Sequence, residues 1–492
     1  MPLESQPLSE GCLRALSTAQ ADGSGVALCG SSLFSTLSSP PVGFLDPEAP
    51  SLLLRALASS ATMAGTKGSS PTELSSNNSS HELTHVVAEP AYLVSRRKFG
   101  GGRCPLWVRR ILASWYSHSL SRRHFSSPDH RIKAAYLLIH TDDCDGAGED
   151  DQIMDEIFTK INEIWEVKII DPEYMLGVSR KLTYTQEKIS SIELTMTPFV
   201  EAMERSFQDQ LRPITADTPF LESTRISKLD EIDAEEIQQV LQLGYQRAVG
   251  MLLWAARHCY PECKYGVSRL CSVMARPTYR AFRAAMHMIT YMAQHKLRGT
   301  RYSIDGNHLP IAHSDASNKP DPADALCQAG FIISWFGGPV ACQSKKLKHV
   351  GLSSEHNEYM GITQLVKRLI WFRQLLEEIG AAPEVLQQPT IIFGDNTQAN
   401  RLCREHFISP GNQYIYTAYH LNKEAVELGI VDIRWLNTKL NIADLFTKPV
   451  NRQTFNNLVD QLTGHASAEQ WQAILTAAAL PTEHHLNTKA HF

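Results

Sequence analysis

In the last third of the chain, apolar positions switch between a period of two and a period near 3.6, and the switches mark its elements. Residues 309–314 read as a short strand ending at Asp315, and residues 329–336 and 340–344 as two strands around the turn Gly337-Gly338. A long helix follows, with Ser353 and Ser354 as N-cap candidates and Gly380 as its stop. Ile362, Leu365, Val366, Leu369, Phe372, Leu376 and Ile379 line one face of it. Residues 390–393 form a fourth strand ending at Gly394-Asp395-Asn396. In the fifth, residues 431–436, Val431, Ile433 and Trp435 alternate with Asp432 and Arg434. Asn441 is placed to cap a final helix with Asp444 in its first turn, so the predicted order is βββαβαβα.

Upstream, residues 134–139 read as a buried strand running into His140-Thr141-Asp142-Asp143 and a polar turn through Cys144-Asp145-Gly146. Ile153, Ile157, Ile161 and Ile164 then recur at helical spacing. Residues 250–256 and 281–293 are apolar enough for packed helices, residues 235–243 are more weakly amphipathic, and a composition break over 299–310 marks a boundary. Residues 1–80 hold 18 Ser and 9 charged residues with no sustained period, which predicts disorder. Residues 96–133 hold ten Lys and Arg against one Asp, interleaved with Trp107, Trp115, Tyr116 and Phe125. Such a stretch is either a stacking surface for nucleic acid or a solvated remnant.

Composition narrows the partners. The 492 residues are 43% apolar and 20% charged, as in a soluble chain of several domains. Lys and Arg (47) less Asp and Glu (52) leave a net charge of −5, so nucleic acid can be met only by local basic patches. Ten Cys without framework spacing fit reduced thiols, and His258, Cys259, Cys263 and Cys271 lack the paired C-x-x-C of a zinc site. No apolar window approaches the ~18 residues of a membrane span and no basic leader precedes one. The chain is therefore expected inside the cell, in cytoplasm or nucleus, with no membrane partner.

The candidate chemistry lies in four carboxylates at strand ends or helix starts: Asp315, Glu358, Asp395 and Asp444. Singly, Asp315, Asp395 and Asp444 read as ordinary loop, turn and cap acids. Glu358 is different, because it stands one turn before Ile362 on the apolar face of its helix, a costly place for an unpaired charge. Phosphodiester hydrolysis by two divalent ions requires hard oxygen ligands brought together, and Mg²⁺ prefers carboxylates. Four acids crowded without ions would repel strongly.

Ser344-Lys345-Lys346, Leu352-Ser353-Ser354-Glu355-His356-Asn357-Glu358-Tyr359-Met360, Phe393-Gly394-Asp395-Asn396 and Ile442-Ala443-Asp444-Leu445-Phe446-Thr447-Lys448-Pro449 closely resemble the ribonuclease H domain of copia-type retrotransposon Pol polyproteins. The resemblance covers about residues 305–465. It implies an α/β ribonuclease-H-like fold, a five-stranded mixed sheet with flanking helices. It also implies cleavage of the RNA strand of an RNA:DNA hybrid, with Asp315, Glu358, Asp395 and Asp444 as catalytic metal ligands for two Mg²⁺ ions, Mn²⁺ being a substitute. Lys345, Lys346 and Lys348 are candidate phosphate contacts, although exposed lysines also read as a solvated face. Ser317-Asn318 stand where the family carries a Trp, and Tyr414-Ile415-Tyr416 where it carries HID.

Residues 134–303 resemble the rear half of the copia-type reverse transcriptase, through Thr141-Asp142-Asp143, Met175-Leu176-Gly177-Val178, Thr218-Pro219, Tyr245 to Gly250, Arg276-Pro277-Thr278 and Tyr291. A polymerase needs a third carboxylate from an earlier palm strand, and Asp22, Asp46 and Asp129 have no such setting. Asp142 and Asp143 are therefore expected to be vestigial. The expected organisation is a disordered segment (1–95), a basic segment (96–133), an incomplete palm with helical thumb and connection (134–304), the ribonuclease-H-like domain (305–465) and a C-terminal helix and tail (466–492). A chain that binds nucleic acid without cutting it, or a translated relic, are the competing readings.

Overall fold

A computed structural model describes residues 92–99, 135–140, 143–148, 151–164, 167–169, 173–186, 188–317, 325–348, 350–351, 353–404 and 416–479. The chain divides into two units, residues 1–47 and 48–492, and every described residue belongs to the second. The Ser-rich segment over 1–80, the aromatic residues of the basic stretch, and Asn318, Tyr414 and Ile415 lie outside the described residues.

The first sheet contains β1 (Tyr92–Phe99), β2 (Ala135–His140), β3 (Asp143–Gly148) and, after α1 (Asp151–Ile164), β4 (Val167–Ile169), in the order β2-β3-β1-β4. The expected strand and isoleucine-spaced helix are both present, and α1 buries Phe158 and Ile161, but Cys144-Asp145-Gly146, expected as a polar turn, lie inside β3, paired with β2 and β1. β1 departs from expectation. It takes its first half from the segment read as disordered and its second half, Arg96 to Phe99, from the basic stretch. Its order comes from antiparallel ladders with β3 and β4 on either side, which composition does not reveal.

β5 (Tyr174–Met175), β6 (Val178–Thr185) and β7 (Lys188–Thr195) form an antiparallel meander. Five helices follow: α2 (Thr197–Ser206), α3 (Ala234–Gln242), α4 (Tyr245–His258), α5 (Lys264–Cys271) and α6 (Tyr279–Gln294). The side chains of Asp233 and Thr278 accept the first free N–H groups of α3 and α6. The break over 299–310 is occupied by β8 (Thr300–Ser303), which pairs with β7.

The last sheet is the predicted one. β9 (Ile311–Ala316), β10 (Gln328–Trp335) and β11 (Gly338–Lys346) run antiparallel. After α7 (Ser354–Glu378) and α8 (Pro383–Gln387), β12 (Thr390–Gly394) pairs parallel to β9. α9 (Thr397–Leu402) and α10 (Tyr416–Glu427) lead to β13 (Val431–Trp435), parallel to β12, giving a five-stranded mixed sheet in the order β11-β10-β9-β12-β13. The predicted capped helix after Asn441 is a single 3₁₀ turn, Ile442–Phe446, followed by α11 (Arg452–Thr463) and α12 (Ala468–Ala479).

Alternation along the strands sorts the core. Ala312, Ile333, Ile392 and Ile433 face α7 and pack with Ile362, Leu365, Leu369 and Phe372. Ile311, Phe393 and Leu436 face the opposite way, against Trp471 and Ile474 of α12. On that second side Ile332 and Cys342 enter the same core as the helices α2 to α6, the 442–446 turn and α11. The helical segment and the last sheet thus share one hydrophobic core. Phe372 is fully buried, 6.0 Å between ring centroids from Trp335. Phe372→Ala is expected to cost about 3–5 kcal/mol. Leu297→Ala, at a position 79% exposed, is expected to change stability by less than about 0.5 kcal/mol, both read by urea unfolding.

Candidate metal centre

Four elements bring the acids to one end of the last sheet. Asp315 lies inside β9, one residue before its end, because the ladder with β10 extends through Asp315↔Gly330 to Ala316↔Ala329. Gly330 is required there: a Cβ on it would lie 2.4 Å from the Cβ of Phe446, so glycine lets the 442–446 turn settle on the sheet beside Asp315. Asn441 fixes that turn, donating from Nδ2 to the Ser314 carbonyl at 3.0 Å and accepting the Ala443 N–H at 3.1 Å.

Glu358 is in the first turns of α7, whose start is capped by Ser353 accepting the His356 N–H at 3.1 Å. Its Oε2 accepts the Ala316 N–H at 3.0 Å, which ties the helix to the strand that carries Asp315. Asp395 follows β12, and Asn396 behind it caps α9 by accepting from Gln398 and Ala399. Thr438 donates to Asp395 Oδ2 at 2.7 Å, and the exposed Trp435 indole donates to the Asp395 carbonyl at 3.0 Å.

Carboxylate oxygens of Asp315, Glu358 and Asp395 all lie within 4.8 Å of one another. Asp315 and Glu358 are buried and Asp395 is partly exposed. Asp444, the fourth expected acid, stands beside this trio and is itself buried. Its Oδ1 is 2.9 Å from Lys448 Nζ. Thr447, between them in the chain, donates its hydroxyl to Asp315 Oδ2.

The electrostatics follow from crowding. Burial lifts Glu358 well above the usual carboxylate range, and Asp315 and Asp395 add to the lift. Asp315 is also raised by burial, against the pull of Lys448 and the Thr447 hydrogen bond. Asp444 is pushed up to about 7 by burial and by Asp315, with Lys448 opposing. With oxygens of Asp315, Glu358 and Asp395 this close, like charges repel, and ionising all of them without a cation is costly. Hard oxygen donors, buried, close together and short of positive charge are the donor set that a divalent cation fits.

The remaining predicted residues lie elsewhere. Lys345, Lys346 and Lys348 are at the far end of β11 and just beyond it, with Lys345 and Lys348 exposed. Ser344 is level with Asp315 across β10, two strand spacings or about 10 Å away, so the lysines lie beyond the acids along one edge of the sheet. Asp143 opens β3 in a different sheet from these acids, and Asp142 lies outside the described residues. Sequence reasoning missed Thr438, Trp435 and the pair Thr447-Lys448 as parts of the site. It also missed His313, fully buried two residues before Asp315, its ring 5.0 Å from Phe393 and its nitrogens without hydrogen-bond partners. Burial lowers His313 to about 3, so it brings no positive charge to β9 beside Asp315.

No protein-family model matches the chain. A solved structure of LC11-RNase H1, isolated from compost, aligns over 93% of its own chain and 28% of this one at 13% identity, with a TM-score of 0.23. The chain is 26% identical over 329 residues to the "Retrovirus-related Pol polyprotein from transposon RE1" of Arabidopsis thaliana, and 26% identical over 342 residues to that from transposon TNT 1-94 of Nicotiana tabacum. These alignments take in 66% and 67% of this chain but 21% and 24% of the relatives, so the chain spans about a fifth to a quarter of their length. Over about two-thirds of its length this chain is similar to the retrovirus-related Pol polyproteins of copia-type transposons.

Proposed function

We propose that residues 305–465 form a ribonuclease-H-like domain that hydrolyses the RNA strand of an RNA:DNA hybrid, and that the chain has no polymerase activity. The observation that carries the reading is the convergence of Asp315, Glu358 and Asp395, from a strand, a helix and a strand end, to within 4.8 Å. The sheet order β11-β10-β9-β12-β13 and the Pol relatives support it.

Asp315, Glu358, Asp395 and Asp444 are the residues that would hold divalent ions, Mg²⁺ or Mn²⁺. When bound, such ions supply an activated water and charge stabilisation for the leaving oxygen. The chain's own contribution is preorganisation. Thr447 aims Asp315, the Ala316 N–H aims Glu358 and Thr438 aims Asp395, so the acids do not have to be gathered when substrate arrives. Trp435 offers an exposed indole face beside Asp395, and Lys345 and Lys348 offer phosphate contacts along the sheet edge.

Loss of polymerase chemistry is supported by β1. This strand hydrogen-bonds to β3, which Asp143 opens, and it reads Tyr-Leu-Val-Ser-Arg-Arg-Lys-Phe, without a carboxylate to complete a metal site.

Glu358→Gln and Asp395→Asn should each lower Mg²⁺-dependent cleavage of a labelled hybrid by at least about 100-fold while leaving circular dichroism unchanged. Cleavage that persists in both variants would remove the assignment. Primer extension on an RNA template should give no product. A third expectation concerns stability. The raised acid Asp444 holds a proton in the folded chain that the unfolded chain has lost, so its stabilisation is complete below about pH 4 and disappears as pH rises through about 7. In EDTA the Tm should therefore fall by roughly 3–5 °C between pH 5 and 8, and saturating Mg²⁺ should abolish most of that slope.

A further inference from the structure

Lys448 is the positive charge built into the acid group. Its Nζ lies 2.9 Å from Asp444 Oδ1, and its backbone N–H bonds back to the Asp444 carbonyl at 3.3 Å, so a single turn holds acid and cation together. One residue earlier, Thr447 donates its hydroxyl to Asp315. Thr447 thus satisfies an oxygen of Asp315 while Lys448 pairs by charge with Asp444, and the ammonium charge also acts on Asp395. The Lys448 side chain is 45% exposed and Asp444 only 6%. The carboxylate is fixed in the site, and the ammonium has an open path to water.

A divalent ion on Asp444 would lie a few Å from an ammonium already 2.9 Å from Oδ1, and in a low-dielectric setting the repulsion between the two cations opposes their sharing this carboxylate. Lys448 and a divalent ion therefore compete for Asp444. We infer that Lys448 is a tethered counter-ion of the metal-free site, which neutralises the buried acids until a divalent cation displaces its ammonium toward solvent. This inference rests on the metal-ligand reading of the acids given above. It assigns Lys448 a positioning role, since it acts on the ligands and not on the substrate. Displacement leaves a mobile ammonium at the mouth of the site, where an incoming phosphate carries the complementary charge.

The test compares the full-length protein with Lys448→Met, which keeps chain length and removes charge, and with Lys448→Arg, which keeps charge. Titration calorimetry at pH 8, where Asp444 is ionised, with MgCl₂ and with MnCl₂ should show the Met variant binding about 5- to 10-fold more tightly than the unaltered chain, because its competitor is gone, and the Arg variant within about 2-fold of the unaltered chain. In EDTA the Met variant should melt several degrees lower than the unaltered chain, and in saturating Mg²⁺ the two should melt together. Equal or weaker ion binding by a folded Met variant would overturn the inference and leave the nuclease reading standing. An unaltered chain that binds neither ion would overturn both. A purely structural lysine would lower the melting point with and without Mg²⁺ and would not tighten binding.

Discussion

Mutual repulsion among carboxylates that share a poorly hydrated corner governs the design of the C-terminal sheet. Three acids with oxygens within 4.8 Å of one another, and a fourth beside them, would drive their elements apart if each were free to relax. The chain resists by fixing every acid from outside the group: an amide on Glu358, threonine hydroxyls on Asp315 and Asp395, and an ammonium on Asp444. None of these partners comes from the element that carries its acid, apart from the one-turn pair Asp444 and Lys448. Each bond therefore also clamps two elements together, and the energy stored in repulsion is opposed by the packing of the whole sheet.

Backbone geometry makes this clamping feasible. Asp315 is a strand residue with its flanking peptides committed to β10, so it cannot withdraw as a loop acid would. Gly330 opposite removes the one side chain that would hold the 442–446 turn away. Asn441 uses both ends of its amide to bind the turn to β9. His313, buried with its nitrogens unpaired, adds no charge on the same face of β9.

Much of this could be read from residue order. The alternation in β13, the seven-residue apolar stripe of α7, the Ser353 cap and the Gly337-Gly338 turn are local signals, and the corresponding elements form where those signals are. The four acids were visible as a set because their flanking motifs are specific. Other features depend on neighbours distant in sequence. β1 exists through ladders with strands more than forty residues away, and its composition suggests only a basic tail. Thr438 and Thr447 look like ordinary loop threonines until the fold sets them against Asp395 and Asp315. Lys448 was visible as part of a motif, but its partnership with Asp444 is a matter of one turn's conformation. The short 3₁₀ turn stands in place of the expected helix, its start bound to β9 by Asn441 on the Ser314 carbonyl and its end bound to β11 by Ser344 donating to the Phe446 carbonyl.

The core that β10 and β11 share with α2 to α6 has a bearing on autonomy. Sliced at the composition break, a fragment starting near residue 305 would keep only the 442–446 turn and α11 against Ile332 and Cys342 and lose the helices that complete the cover, leaving an adhesive patch and a route to aggregation. The helical segment is a permanent wall of its neighbour. Its buried residues therefore pack for two segments at once, its own and the sheet beside it.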